Sequence, residues 1–211
     1  VGAITVEDGT VNVADVASGR TYRFEGVTAD VSWRKLSSPI TAVLIARMSG
    51  QDLKLDFSSP SPLLIFGGNK AEMSGSLTSS LLTARFQGLA NISHLFDLSG
   101  NMALNIPDLP TLLKWADRSL PGIATLKTFS IETDVASVAN GFRFDNVNMS
   151  MNGSNAKGVM DVAFPPGKRA KLGGTLAFDQ MNFRSLFDAF VLRLAAGEAG
   201  GRPDGGALQK L

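Results

Sequence analysis

Tyr22-Arg23-Phe24-Glu25-Gly26-Val27-Thr28-Ala29-Asp30-Val31-Ser32-Trp33 is the stretch on which the fold turns. Apolar and polar residues alternate along it, the mark of a strand with one buried face. The phase changes once, at Gly26: Tyr22 and Phe24 precede it, and Val27, Ala29, Val31 and Trp33 follow. A lone glycine at such a slip predicts a bulge or bend within one long strand. The same alternation spreads outward. Ile4 and Val6, then Val11 and Val13, flank Asp8-Gly9, a dipeptide that favours the tight turn of a hairpin. Leu53, Leu55 and Phe57 alternate with charged residues, and Met102, Leu104 and Ile106 continue the pattern. So do Phe142 and Phe144, then Val147, Met149 and Met151. Further strands are expected near residues 41–47, 62–66, 80–87, 126–134, 156–164 and 169–179. Asn140-Gly141 suits a primed turn and Pro166-Gly167 a type II turn, which makes the chain a meander of antiparallel strands.

Two segments carry helical spacing instead. Asp108 can cap a helix over 108–117 whose apolar face is Leu109, Leu112, Leu113 and Ala116, with Pro110 in its first turn. Asn182 can cap a second helix over 182–195, with Phe183, Leu186, Phe187, Phe190, Val191 and Leu194 as its stripe. The expectation is a mainly β fold: a long twisted antiparallel sheet curled into a groove or open barrel, with two short amphipathic helices over an end or edge. Residues 197–211, rich in glycine, read as a disordered tail.

The chain also repeats itself. Thr21-Tyr-Arg-Phe-Glu-Gly-Val matches Gly141-Phe-Arg-Phe-Asp-Asn-Val, and the passage from Gly100 to Leu113 aligns with that from Gly174 to Phe187. The reading is two diverged β-rich units, 1–120 and 121–196, each ending in a helix.

Composition removes whole classes of function. The 211 residues carry 20 Lys+Arg against 19 Asp+Glu, a formal net charge of +1, which offers no field to concentrate on nucleic acid or an anionic membrane surface. No apolar run approaches the roughly 18 residues of a membrane-spanning helix, and Val1 begins directly in strand-like sequence without a signal pattern. Without Cys there is no disulfide, zinc–thiolate site or thiol nucleophile. His94 is the only histidine, so a two-histidine metal site is excluded. No Gly-x-Ser-x-Gly elbow occurs. Gly67-Gly68-Asn69-Lys70 lacks the rest of a phosphate loop and reads as a hairpin turn. Asn91-Ile-Ser93 and Asn148-Met-Ser150 match a glycosylation pattern too common to carry weight. Glu25, Asp30, Asp56, Asp145 and Asp161 stand singly at polar strand positions, as on a solvated sheet face. The expectation is a protein without catalytic, metal or cofactor residues. Its positive feature is the apolar faces: roughly a dozen strands must close, stack or curl around something apolar. Seven Met and 13 Phe against one Tyr favour fluid, shape-variable apolar matter over a polar-tipped core.

Ile4-Thr-Val-Glu-Asp-Gly-Thr-Val-Asn-Val-Ala-Asp, Tyr22-Arg-Phe-Glu-Gly-Val-Thr-Ala-Asp-Val-Ser, the passage from Leu98 to Trp115, Ala139-Asn-Gly-Phe-Arg-Phe-Asp-Asn-Val and the passage from Lys171 to Leu186 resemble the AsmA family of Gram-negative envelope proteins. The resemblance covers the chain up to about Leu194 and lies in turns and alternation, without a catalytic signature. It implies a periplasmic, strand-rich region of a protein held in the inner membrane by an N-terminal helix that this chain lacks. It also implies a β-groove whose apolar interior carries phospholipid, or serves outer-membrane assembly and maintenance. Phe24, Val31, Phe142, Phe144 and Met149 are the inward positions it assigns to the groove lining. The other reading is a structural module that contacts envelope proteins and binds no lipid of its own.

Overall fold

The meander is built from short links. Ser49-Gly50, with φ of 49° and 79°, and Asn152-Gly153, with φ of 48° and 83°, each join two strands through a pair of left-handed residues. That geometry matches the twist of the flanking strands. In the computed structural model, which describes residues 2–15, 20–91, 97–117, 126–165 and 170–179, all strands join one antiparallel sheet. They are β1 (Gly2–Asp15), β2 (Arg20–Trp33), β3 (Ile40–Met48), β4 (Gln51–Ser59), β5 (Ala71–Thr78), β6 (Thr83–Ala90), β7 (Leu98–Ile106), β8 (Phe129–Val138), β9 (Gly141–Met151), β10 (Ser154–Ala163) and β11 (Lys171–Phe178). Spatial order follows chain order from β1 to β11, and β1 does not pair with β11. The sheet is open, the mainly-β architecture is what the alternation predicts, and of the two short helices one lies where the sequence spacing places it, within 108–117.

The helices are α1 (Pro62–Phe66) and α2 (Leu109–Trp115), at opposite ends of the strands. Asp108 caps α2 as its sequence predicts: its carboxylate accepts from the Thr111 amide at 3.1 Å and the Thr111 hydroxyl at 2.8 Å. Trp115 then reaches across the sheet end, its indole Nε1 donating to the Met48 carbonyl at 3.2 Å. α1 replaces the strand expected over 62–66. An apolar run this short does not distinguish strand from helix by period, and Pro62 sits in the first turn, where a helix tolerates it. Gly67-Gly68-Asn69-Lys70 accordingly links α1 to β5 and is not a strand-to-strand hairpin. β5 itself falls in a stretch the alternation did not single out.

Asp8-Gly9 is no hairpin either. Asp8 is left-handed at φ 49° but Gly9 is not, and the chain runs on beside β2, pairing Val6 with Ala29, Gly9 with Val27 and Val11 with Phe24. The dipeptide is a bulge in β1, lying opposite the slip at Gly26, whose φ of 56° and shifted register make it the bulge its sequence predicts. The β8–β9 hairpin exists, but its two linking residues are Ala139 and Asn140, with Val138 paired to Gly141. Pro166-Gly167, His94, the 182–195 helix and the 197–211 tail lie outside the described residues.

The Thr21–Val27 and Gly141–Val147 match has a structural counterpart. Gly26 (φ 56°) and Asn146 (φ 52°) are left-handed bulge residues at the same place in the motif. Each is followed by a buried valine, Val27 at 5% exposed and Val147 at 1%. Each is preceded by a surface ion pair two residues apart, Arg23–Glu25 at 2.9 Å and Arg143–Asp145 at 3.0 Å.

A candidate apolar binding face

Register turns eleven separate alternations into one surface. Starting from Val6, successive cross-strand partners are Ala29, Leu44, Leu55, Leu77 and Ala84. The same row continues through Leu104, Ile131, Met149, Ala156 and Phe178, so no polar residue interrupts it from β1 to β11. A neighbouring row on the same face runs Ile4, Val31, Ala42, Phe57, Gly75, Phe86 and Met102, ending at Thr133. Thr133 is buried, and its hydroxyl donates to the Asp145 carbonyl at 2.7 Å, so its polarity is satisfied at the β8–β9 bulge.

No second layer of strands covers this face among the described residues. At the β8–β11 side it covers itself: Ile131, Val147, Met149 and Ala156 form a buried cluster beneath Phe129, Phe144, Met151 and Phe178. A smaller cluster, Ile65, Ala71 and Met73, lies where α1 meets Phe57, Phe86 and Ala90. Between β1 and β4 the row stays open, with Val6 40% and Leu55 41% exposed. The result is an apolar strip, packed at one side and accessible at the other.

The five groove positions assigned at the sequence level all fall on this face, in two separate groups. Phe24 pairs with Val11 and Met48, and Val31 with Ile4 and Ala42, on the open side. Phe142, Phe144 and Met149 lie on β9, six strands intervening. There Phe142 and Phe144 have ring centroids 6.4 Å apart, and Phe142 meets Phe164 edge-on at 6.2 Å. Met149 is only 8% exposed, so it belongs to the packed cluster more than to an accessible lining. Leu55, Leu77 and Leu104 complete the row and were not singled out as lining. Their alternation was visible in part, but only cross-strand register shows that they continue one another.

The opposite face is polar. Its central row passes Thr5, Asp30, Val43, Asp56, Ser76, Arg85, Ala103, Glu132, Asn148 and Lys157. The acidic residues expected on a solvated face are there with local partners: Asp30 accepts from Thr5 at 3.1 Å, and Asp56 meets Lys54 at 3.1 Å. Two shallow troughs of about 600 and 590 Å3 share Arg85, Ala103 and Glu132 on this side. Asp52, hydrogen-bonded to the Arg47 guanidinium at 2.7 Å, is held below the ordinary carboxylate range, and Arg47 is raised in turn. Exposed pairs of this kind contribute little to stability. Among the described residues, no three His, Asp or Glu side chains converge as a metal site, and no helix is long and apolar enough to cross a membrane.

Comparison with known proteins adds no family: no family model, curated protein or solved structure matches the chain.

Proposed function

We propose that the protein is a non-catalytic module whose apolar sheet face receives acyl chains, as in phospholipid transport between membranes or outer-membrane maintenance. The observation that carries this reading is the uninterrupted apolar row across eleven strands, left open from β1 to β4. An acyl chain needs apolar contact along its length and no hydrogen bonds, which a row of Val, Leu and Met supplies. Resemblance to AsmA-like envelope proteins points the same way, and on that reading the chain works in the periplasm as part of a protein anchored in the inner membrane. The test is binding of a fluorescent fatty acid, together with lipid extraction and native mass spectrometry of the purified chain. Lipid should co-purify, and placing Asp at both Val6 and Leu55, each accessible and on the row, should abolish binding. Undiminished binding by that variant, or no binding by the parent chain, defeats the reading.

A second reading has its own support. Among the described residues the outer edge of β1 is unpaired along 14 residues, with Ile4, Val6, Val11 and Val13 exposed. Such an edge accepts a partner strand, as an envelope-assembly module would require. A chain that pulls down an envelope protein through β1 and extracts no lipid favours this alternative.

A further inference from the structure

The apolar strip is not the only exposed apolar surface. At the end of the sheet where β2 and β4 finish, α1 reads Pro62-Leu63-Leu64-Ile65-Phe66, with no polar residue on any side. Pro62 and Ile65 are buried against the sheet, while Leu63 is 51%, Leu64 46% and Phe66 66% exposed. A helix apolar all round belongs in a core or in lipid, and this one projects three large side chains outward. Phe66 stacks on Trp33 at a centroid distance of 5.3 Å, which ties α1 to the loop that follows β2. That loop, Arg34-Lys35-Leu36-Ser37-Ser38-Pro39, exposes Leu36 by 55% and carries two cations. Neither Arg34 nor Lys35 forms an ion pair among the described residues, whereas the nearby Lys70 is neutralised by Asp97 at 2.6 Å. Scattered single apolar residues are ordinary on a surface, but four large ones on two adjoining elements, edged by unpaired cations, are not.

We infer that this end of the sheet docks on an anionic lipid surface, with Leu36, Leu63, Leu64 and Phe66 entering the acyl boundary and Arg34 and Lys35 meeting headgroup phosphates. The chain as a whole is near neutral, so the attraction is local: two cations beside four exposed apolar side chains ask for counter-charge and an acyl layer together, which an anionic membrane supplies and a purely apolar protein partner does not. The attachment is interfacial. It goes beyond acyl-chain binding on the sheet face, and the two stand or fall separately.

Flotation of the full 211-residue chain with vesicles tests it. Vesicles of phosphatidylglycerol mixed with phosphatidylcholine should carry the protein, with partition falling as salt rises. Replacing Leu63, Leu64 and Phe66 together by Gln should lower partition about a hundredfold, from the apolar area no longer transferred. Arg34→Gln with Lys35→Gln should lower it about thirtyfold on the anionic vesicles and leave phosphatidylcholine alone unchanged. All five sites are solvent-exposed, so circular dichroism should match the parent; if the triple variant misfolds, the Arg34 and Lys35 pair decides. The inference is overturned if the parent chain does not float, or if both variants float as well as the parent. It is also overturned if the triple variant dissociates a dimer of the parent chain that shows no vesicle binding. Val6→Asp with Leu55→Asp should leave flotation intact even where it abolishes fatty-acid binding, which separates this surface from the sheet face.

Discussion

The bulge at Gly26 offers the sharpest test of how sequence sets this sheet's shape. At φ 56° the residue is left-handed, and a Cβ built there meets no atom within 4 Å. Any cost of substitution is therefore conformational and not a clash. A left-handed L-residue costs about 1–2 kcal/mol, and restricting the unfolded chain returns about 0.4–1 kcal/mol. Gly26→Ala should accordingly destabilise by about 1 kcal/mol, a melting-temperature drop of about 2–4 °C for a chain of this length. Gly26→Val, β-branched and ill-suited to this backbone, should roughly double that loss. Gly26→Asn should be close to neutral, because asparagine tolerates the conformation and already occupies it at Asn146, φ 52°, in the matching motif. Gly75→Ala is the internal control: its φ is not positive and its new Cβ would rest 3.7 Å from the Asp56 carbonyl, an ordinary contact. It should gain about 0.4–1 kcal/mol. Thermal unfolding of the four variants decides the matter. If Gly26→Ala stabilises as Gly75→Ala does, or Gly26→Asn costs as much as Gly26→Val, the left-handed bulge is the wrong explanation for the phase slip.

Other predictions read different parts of the sheet. Gly88 and Gly100 face each other across β6 and β7, and a Cβ on Gly100 would lie 2.6 Å from the Gly88 Cα. Gly100→Ala should therefore force the strands apart and cost about 3 kcal/mol, measured by urea unfolding. Met149→Ala removes a side chain packed between Ile131 and Ala156 and should cost about 2–5 kcal/mol by the same assay. Asp108, held below the ordinary carboxylate range by the Thr111 hydroxyl and amide, stabilises α2 fully above the unfolded-state pKa. That contribution disappears as pH falls through the lowered folded-state value. Asp108→Ala should remove it at neutral pH, and Trp115 fluorescence should report the loosened helix in both cases.

Period-two alternation is a local property, and so are bulges and caps, which is why the strands, the Gly26 slip and the Asp108 cap were legible from residues alone. Asp8-Gly9 misled because a turn-prone dipeptide is only permissive: the pairing of Val6 with Ala29 and Val11 with Phe24 carries β1 through it as one strand with a bulge. The 62–66 segment misled because five apolar residues carry no period, and Pro62 tips the balance only once Ile65 has a core to enter. The Asn152-Gly153 link carries the same Asn-Gly signal as Asn140-Gly141 and was there to be read. What no single strand contains is register. Leu55, Leu77 and Leu104 become one surface only when β4 through β7 are aligned, and a slip of one residue would replace them with Lys54, Thr78 and Asn105.

That row creates a physical asymmetry with consequences for stability. Around β9 Ile131, Val147, Met149 and Ala156 are buried by their apolar neighbours, so their own transfer from water is already made in the folded chain. From β1 to β4 it is not, and Ile4 at 64% exposed gains little from folding alone. An acyl chain lying there would complete the burial, binding the folded sheet and not the unfolded chain. Such linkage stabilises by about 2.7 kcal/mol at a hundredfold excess over Kd, a rise in melting temperature of about 5–10 °C. The increment should appear in scanning calorimetry with fatty acid below its micelle concentration. It should be absent when Val6 and Leu55 are both Asp, and should persist when Met149→Ala weakens only the packed side. A rise that survives the Asp substitutions would place the ligand elsewhere on the molecule, and the open end of the row would then need another explanation for leaving so much apolar surface in water.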